Sequence, residues 1–503
     1  MTKINKLLVA NRGEISLRIM RTAREMGIQT VAVYSDADRK APHVRFADEA
    51  AYLGPSPSRQ SYLNIDKILE VAREFSVDAI HPGYGFLSEN PEFAKRVHEG
   101  GICFVGPSAE AIALMGSKLE AKKAVAKYKI PLVPGTSEAV TSVSTAKSIA
   151  SEIGYPILIK ASAGGGGKGM RIVSSEDELE EQMKRAMGEA ESAFGDPSVF
   201  IEKYISSPKH IEIQVLGDQH GNVVHLFERE CSIQRRHQKV VEEAPSAVLD
   251  KAIRMKMGEA AVNVAKACRY HGAGTVEFVV DQSLNFYFLE MNTRLQVEHP
   301  VTELITGKDL VKEQIWIAEG KKLSFSQEEL QIHGHAIEIR VYAEDSENGF
   351  LPDTGTLSQY RLPQGPGIRV DDGFEEGMEV PIHYDPMLSK LIVHAADRES
   401  AIEKMKRAIE EYKVVGVKTT LSFCAFVMEH PSFREGTFTT KFVEEYFDGQ
   451  RSNPKFSHTE KQLLAAFGAH FLQEASPASN NGTIAAERSV QSLSSWRKNR
   501  KHG

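Results

Sequence analysis

Along most of the chain, apolar and polar positions repeat with either a strand or a helix period. Lys6-Leu7-Leu8-Val9-Ala10 is a short apolar run with the look of a buried strand. A helical pattern follows from Ile15 to Met26, stops at Gly27, and gives way to a strand over Thr30–Tyr34. A helix over Ile65–Phe75, a strand around Asp78-Ala79-Ile80 and another over Ile102–Gly106 continue the alternation. Strands separated by helices predict a doubly wound parallel sheet over residues 1–115. Further on, Tyr155–Ala161, Met170–Val173 and Val199–Ile205 read as strands. His210–Val215 alternates with Ile211, Ile213 and Val215 inward, and pairs with Asn222–Glu228 as a hairpin. A helix over Ala252–Cys268 precedes the strand Thr275–Asp281 and the apolar run Asn285–Leu289.

After Gly320 the pattern becomes mostly β. His335–Glu344 sets Ile337, Ile339 and Val341 on one face, with Glu338 and Arg340 on the other. Strands around Gly355-Thr356-Leu357 and Lys390–Val393 follow, then a helix from Glu399 to Tyr412. The fold class expected is a multidomain α/β and α+β chain. Its parts are a parallel sheet in 1–115, a central domain in 116–330, a mostly β domain in 331–448, and an extension, 449–503, of linker and tail character.

With 503 residues, 41% hydrophobic and 26% charged, the chain can build several cores. A net charge of -7 argues against a nucleic-acid partner. The four cysteines are far apart with no CxxC pair, which fits a reducing compartment. Met1–Lys6 runs straight into a strand, leaving no room for a leader, and no apolar run reaches membrane-spanning length. A soluble cytoplasmic protein is expected.

The chemistry concentrates in Glu290–Pro300. If the backbone stays extended beyond Leu289, Glu290, Asn292, Arg294, Gln296 and Glu298 share one face, continued from Phe286 and Phe288. Carboxylates and a guanidinium leaving a buried strand need a ligand, a metal or each other, so this stretch is expected to floor an active site. Glu277 lies alone in an apolar strand and, beside Glu290, would make a Mg²⁺ site of hard oxygen ligands. His81–Asn90 carries two glycines and Tyr84 at a strand's carboxyl end, where backbone can approach a ligand. Gly164–Gly169 matches GxGxxG but opens a strand rather than a helix, and Met170 rules out a Walker loop. Its glycines and Lys168, close to Lys160, suggest a flap over phosphates instead. The basic cluster of Arg235, Arg236, His237 and Lys239 suggests an anion site.

Taken together, these segments resemble the ATP-grasp biotin carboxylases, from Lys6 to about Asp448. The resemblance rests on Val9-Ala10-Asn11-Arg12-Gly13-Glu14, His81–Asn90, the glycine flap, Arg235-Arg236-His237-Gln238-Lys239 and Glu290–His299. It implies carboxylation of biotin on a carrier protein with ATP, Mg²⁺ (or Mn²⁺) and bicarbonate, through carboxyphosphate. Residues 116–330 become an ATP-grasp domain with a lid at about 132–204. By position, Lys118, Lys160, Gly165 and Gly166 would hold phosphates. Glu202, Lys203 and Ile205 would form the adenine hinge, with His210, Gln234 and His237 near it. Glu277, Glu290 and Asn292 would take metal. Lys239, Arg294, Gln296 and Val297 would hold bicarbonate, Glu298 would be the base, and Arg340 with Tyr84 would meet biotin.

The expected partners are a biotin carboxyl carrier protein, carboxyltransferase subunits and a second copy of the chain. Two departures are visible. Ser117 stands where many relatives have an acid, and the extension after Asp448 has no counterpart in the minimal family pattern. No Ala-Met-Lys-Met attachment signature occurs; Arg254-Met255-Lys256-Met257 imitates it inside a predicted helix. The competing readings are another ATP-grasp carboxylate–amine ligase, or an idle ATP-binding scaffold.

Overall fold

The computed structural model describes residues 3–136, 138–161, 170–236 and 238–447, together with Gln462, Leu463 and Phe467. The chain divides into two units, Met1–Arg451 and Ser452–Gly503. In the second, the three described residues are helical. The predicted linker and basic tail lie outside the described residues.

The first unit begins with a parallel sheet of β1 (Lys6–Val9), β2 (Gln29–Ser35), β3 (Glu49–Gly54), β4 (Ala79–His81) and β5 (Cys103–Phe104). Their order, β3-β2-β1-β4-β5, is that of a doubly wound sheet. Helix α1 (Gly13–Glu25) leaves β1 and buries Ile15, Ile19, Met20 and Ala23 in one core with Leu7 and Val9. β3 escaped the sequence reading because only Ala51, Leu53 and Gly54 are buried, which leaves no apolar run to mark it.

A small antiparallel sheet, β7-β6-β8, is built from β6 (Ile157–Ala161), β7 (Arg171–Val173) and β8 (Val199–Lys203). The glycine run joining β6 to β7 lies outside the described residues.

The largest feature is one antiparallel sheet of eight strands. It contains β9 (Lys209–Gly217), β10 (Val223–Arg235), β11 (Gln238–Ala244), β12 (Gly272–Val280), β13 (Phe286–Asn292), β14 (His335–Tyr342), β15 (Ile368–Asp372) and β16 (Met387–Ala395). Their order is β13-β12-β9-β10-β11-β14-β16-β15. It crosses residue 330 without interruption, because β11 pairs with β14, Val241 opposite Ile339. Gly355–Leu357, expected as a strand, forms only an isolated bridge from Thr356 to Glu379.

One face of this sheet is sealed. Ile211, Ile213 and Val215 of β9 pack with Val276 and Phe278 of β12 against Met257 and Val264 of α2 (Lys251–Ala267). Ile337, Ile339 and Val393 pack against Ala401, Ile402 and Met405 of the later helix Arg398–Glu411. Each fully buried aliphatic side chain contributes about 1.5–3 kcal/mol. The period-2 pattern therefore leaves His210, Glu212, Glu338 and Arg340 on the opposite face.

Two expectations about Glu290–Pro300 are corrected. Glu277 faces Glu290 while Phe278 faces Phe288, so Leu289 is an extra residue, a bulge. It switches the faces: Phe288 and Met291 both enter the core, and Glu290 turns to the site. The polar face therefore does not continue from Phe286 and Phe288. The strand also ends at Asn292, and Glu298 is the N-cap of helix α3 (His299–Thr306), which carries Pro300 in its first turn. A turn, rather than an extended strand, brings Arg294, Gln296 and Glu298 to the site.

Candidate active site

A cavity of about 800 Å³ opens between the amino-terminal loops and the opposite face of the large sheet, part of which α3 covers. Tyr84, His210, Gln234, Lys239, Glu277, Glu290, Asn292, Arg294, Gln296, Val297 and Arg340 all line it. A second cavity, of about 810 Å³, adjoins it through His210 and Gln234, which line both. Its walls include Lys160, Glu202, Lys203, Ile205 and the apolar Leu158, Ile172 and Phe350.

At the floor of the first cavity, Lys239 Nζ donates to Glu212 Oε2 at 2.5 Å, Glu298 Oε1 at 2.7 Å and Glu277 Oε1 at 2.9 Å. The other oxygen of Glu298 accepts from Arg340 Nη2 at 2.9 Å, and Arg340 Nε donates to Glu242 at 2.6 Å. Glu298 is fully buried. Burial alone would raise its carboxyl, but Lys239, Arg340 and Arg229 outweigh it and hold Glu298 well below the usual carboxylate range. Glu242, with less help, is raised by burial to about 7 despite Arg340. Arg294 fans out to Glu89 at 2.8 Å, Gln296 at 3.1 Å and Asn292 at 3.1 Å.

Glu277 and Glu290 lie opposite each other in the β12–β13 register. Asn292 Nδ2 donates to Glu277 at 2.8 Å, and His210 Nε2 stands 3.1 Å from its other oxygen. Burial and the Glu277 charge raise Glu290, while burial of His210 is overruled by Glu277, which raises it. A buried carboxylate, Glu277, and a half-buried one, Glu290, that repel each other, with an amide close by, fit a hard divalent cation.

Family models then place the chain. The biotin carboxylase N-terminal domain matches residues 3–112, the ATP-binding domain of the carbamoyl-phosphate synthase L chain matches 117–326, and the biotin carboxylase C-terminal domain matches 338–445. The chain belongs to the biotin carboxylase family. A pyruvate carboxylase subunit from Methanothermobacter thermautotrophicus is 54% identical over 482 residues, covering 95% of this chain and 98% of that one. Biotin carboxylase 1 of Bacillus subtilis is 52% identical over 444 residues, 88% of this chain and 99% of its own. The biotin carboxylase domain dimer of the Hydrogenobacter thermophilus 2-oxoglutarate carboxylase was solved with MgADP, ADP and bicarbonate. It is 49% identical, with a TM-score of 0.83 over 88% of this chain and 98% of that one. As a biotin carboxylase, the chain is an ATP-dependent ligase with the family's ATP-grasp fold.

Within this biotin carboxylase, the residues expected at the nucleotide are held by neighbouring protein groups. Lys160 Nζ donates to Glu202 at 2.5 Å, Lys122 holds the other oxygen of Glu202, and Lys203 Nζ donates to the carbonyls of Gly154 and Tyr155 at 2.9 and 3.1 Å. Lys118 is exposed at the start of its helix, and its charge only partly offsets the rise that burial and Glu277 impose on Glu290. Gly165, Gly166 and His237 lie outside the described residues. Arg254–Met257 lies within α2, as its pattern implied. No helix among the described residues is long and apolar enough to cross a membrane.

Sequence reasoning passed over Glu212, which is fully buried between Arg229 Nε at 2.5 Å and Lys239. The available signal was its polar face: on a central strand, positions alternating with Ile211 and Ile213 point at the site rather than at solvent. Lys390 and Glu14 were read only as parts of longer segments, the strand from Lys390 and the motif ending at Glu14, and nothing local gave either a role of its own.

Proposed function

We propose that this chain is the biotin carboxylase subunit of a pyruvate or acyl-CoA carboxylase and carries out its first half-reaction. ATP and bicarbonate form carboxyphosphate, and the carboxyl unit passes to a ring nitrogen of biotin borne on a separate carrier protein. A carboxyltransferase subunit then hands it to acetyl-CoA, propionyl-CoA or pyruvate, and a homodimer is the working form. Four unpaired cysteines support a reducing, cytoplasmic setting.

The observation that carries this reading is the clamp on Glu298: a buried carboxylate held by Lys239 and Arg340 beside paired Glu277 and Glu290. Bicarbonate entering beside Arg294, Gln296 and Val297 draws Lys239 toward itself. Losing that cation raises the basicity of Glu298, which takes the bicarbonate proton. The freed oxygen attacks the γ-phosphorus in line as the bond to ADP breaks. Such a transfer needs positioning and charge neutralisation above all. Glu277, Glu290 and Asn292 would hold Mg²⁺ or Mn²⁺, which supplies neutralisation at the phosphates. Lys118, Lys160 and the 164–169 glycines serve the phosphate end, and Glu202, Lys203, Ile205, Gln234 and His237 the adenine end. Arg340, whose charge is permanent, stabilises the ureido oxygen as the ring nitrogen loses its proton, next to Tyr84.

The test is ADP release with and without bicarbonate and free biotin. Hydrolysis that requires bicarbonate and rises with biotin is expected. ADP release indifferent to both would favour a different ATP-grasp ligase, and absent turnover an idle scaffold.

A further inference from the structure

Lys390 on β16 has no solvent exposure. Its neighbours in the sheet register are Arg340 on β14 and Asp371 on β15, so the three side chains leave the same face. The ammonium donates to the carbonyl of Val297 at 2.9 Å and pairs with Glu14 Oε2 at 3.2 Å and Asp371 Oδ2 at 3.6 Å. The other oxygen of Glu14 accepts from the hydroxyl of Tyr84. Tyr84 is itself held in place, since Asn11 Nδ2 donates to the carbonyls of Pro82 and Tyr84 at 2.7 and 2.8 Å. Gly83, at φ +65, leaves that amide room, because a Cβ there would lie 2.8 Å from it.

A continuous path therefore runs from the Tyr84 hydroxyl through Glu14 and Lys390 to the Val297 carbonyl. It joins four parts of the chain that are far apart in sequence. The Val297 carbonyl belongs to the peptide that carries Glu298, so holding it fixes where the base begins. Burying a lysine is costly, and an apolar residue of similar length would serve plain packing at least as well. A cation at this point makes sense if its contacts do something.

We propose that Lys390 is a positioning residue that couples the biotin side of the site, at Tyr84, to the bicarbonate-side segment 296–298. The proposal rests on the roles given above to Tyr84, Val297 and Glu298. Because the Lys390 contacts on the two sides share one ammonium, displacement of the Tyr84 hydroxyl by an arriving ureido ring reaches Val297 through two side chains.

The experiment is a double-mutant cycle in the full chain, with Lys390→Met and Tyr84→Phe singly and together. Bicarbonate KM, ATP KM and the stimulation of bicarbonate-dependent ADP release by free biotin are the readouts. Lys390→Met is expected to raise the bicarbonate KM roughly tenfold, move the ATP KM less than about twofold, and remove most of the stimulation. Tyr84→Phe also lowers the stimulation, and the double variant loses little more than Lys390→Met alone. Independent, multiplying losses overturn the proposal, as does a parental bicarbonate KM in Lys390→Met. Equal rises in both KM values show a merely structural lysine and overturn it too. Should Lys390→Met fail to fold, Lys390→Arg enters the same cycle, with the same non-additivity supporting and the same additivity overturning. Full turnover in Glu298→Gln would instead remove the base assignment, a failure that the cycle does not mimic.

Discussion

Lys239 meets three carboxylates at once, and this is how Glu298 stays charged without solvent. Burial pushes Lys239 toward its neutral form, but Glu212, Glu277 and Glu298 together raise it well above the ordinary lysine range. The group most exposed to change is Glu290, raised by burial and by its facing partner Glu277. Glu290→Ala is expected to weaken Mg²⁺-dependent turnover, with partial rescue by excess Mg²⁺ or by Mn²⁺. An unchanged Mg²⁺ dependence, measured by titrating metal against ADP release, would remove Glu290 from the metal site. Glu277, Glu290 and Glu298 were legible in the sequence because carboxylates beside apolar strand residues are conspicuous. Glu14 and Lys390 were given no role, since their meaning lies in contacts between residues 70 or more positions apart.

At the scale of elements, hydrophobic period placed most strands and helices, but beyond β3 and Gly355–Leu357 it missed details that matter to the site. The bulge at Leu289 reverses which residues face the site. β10 runs on to Arg235 because its polar residues are buried by partners, as Arg229 is by Glu212. The extended course expected for 293–298 is a turn, for a helix with Pro300 in its first turn begins at His299. The elements are also tied by ions. Glu243 on β11 accepts from His335 of β14 at 2.8 Å and from Arg398 at 2.8 and 3.1 Å. Burial would raise Glu243, yet His335 and Arg398 hold it below the ordinary value of 4.5. Glu243→Gln should lower stability by about 1–3 kcal/mol, because Arg398 is half-buried and keeps the carbonyls of Phe433 and Arg434. A depressed carboxyl stabilises only while ionised in the folded chain. The gap between parent and variant is therefore full above pH 4.5 and closes as the pH falls through the depressed value. Urea unfolding of both proteins at several pH values checks this; a gap of constant size would contradict it.

For the molecule as a whole, the fold class and the family were legible, because concurrent motifs are far more specific than any one of them. The continuous eight-stranded sheet was not, since pairing between β11 and β14 joins segments almost a hundred residues apart and leaves no local periodic mark. That sheet matters for function: it puts Lys239 on β11, Arg340 on β14 and Glu277 on β12 on one rigid surface, over which a single carboxylate is held. The account stands or falls on that carboxylate. The most direct measurement is the yield of carboxybiotin from labelled bicarbonate, ATP, Mg²⁺ and free biotin by the parent and by Glu298→Gln, with ATP affinity measured alongside. Loss of a positioned base predicts unchanged ATP binding and a fall in carboxybiotin of roughly 10²-fold or more. Near-parental carboxybiotin from the variant would contradict it.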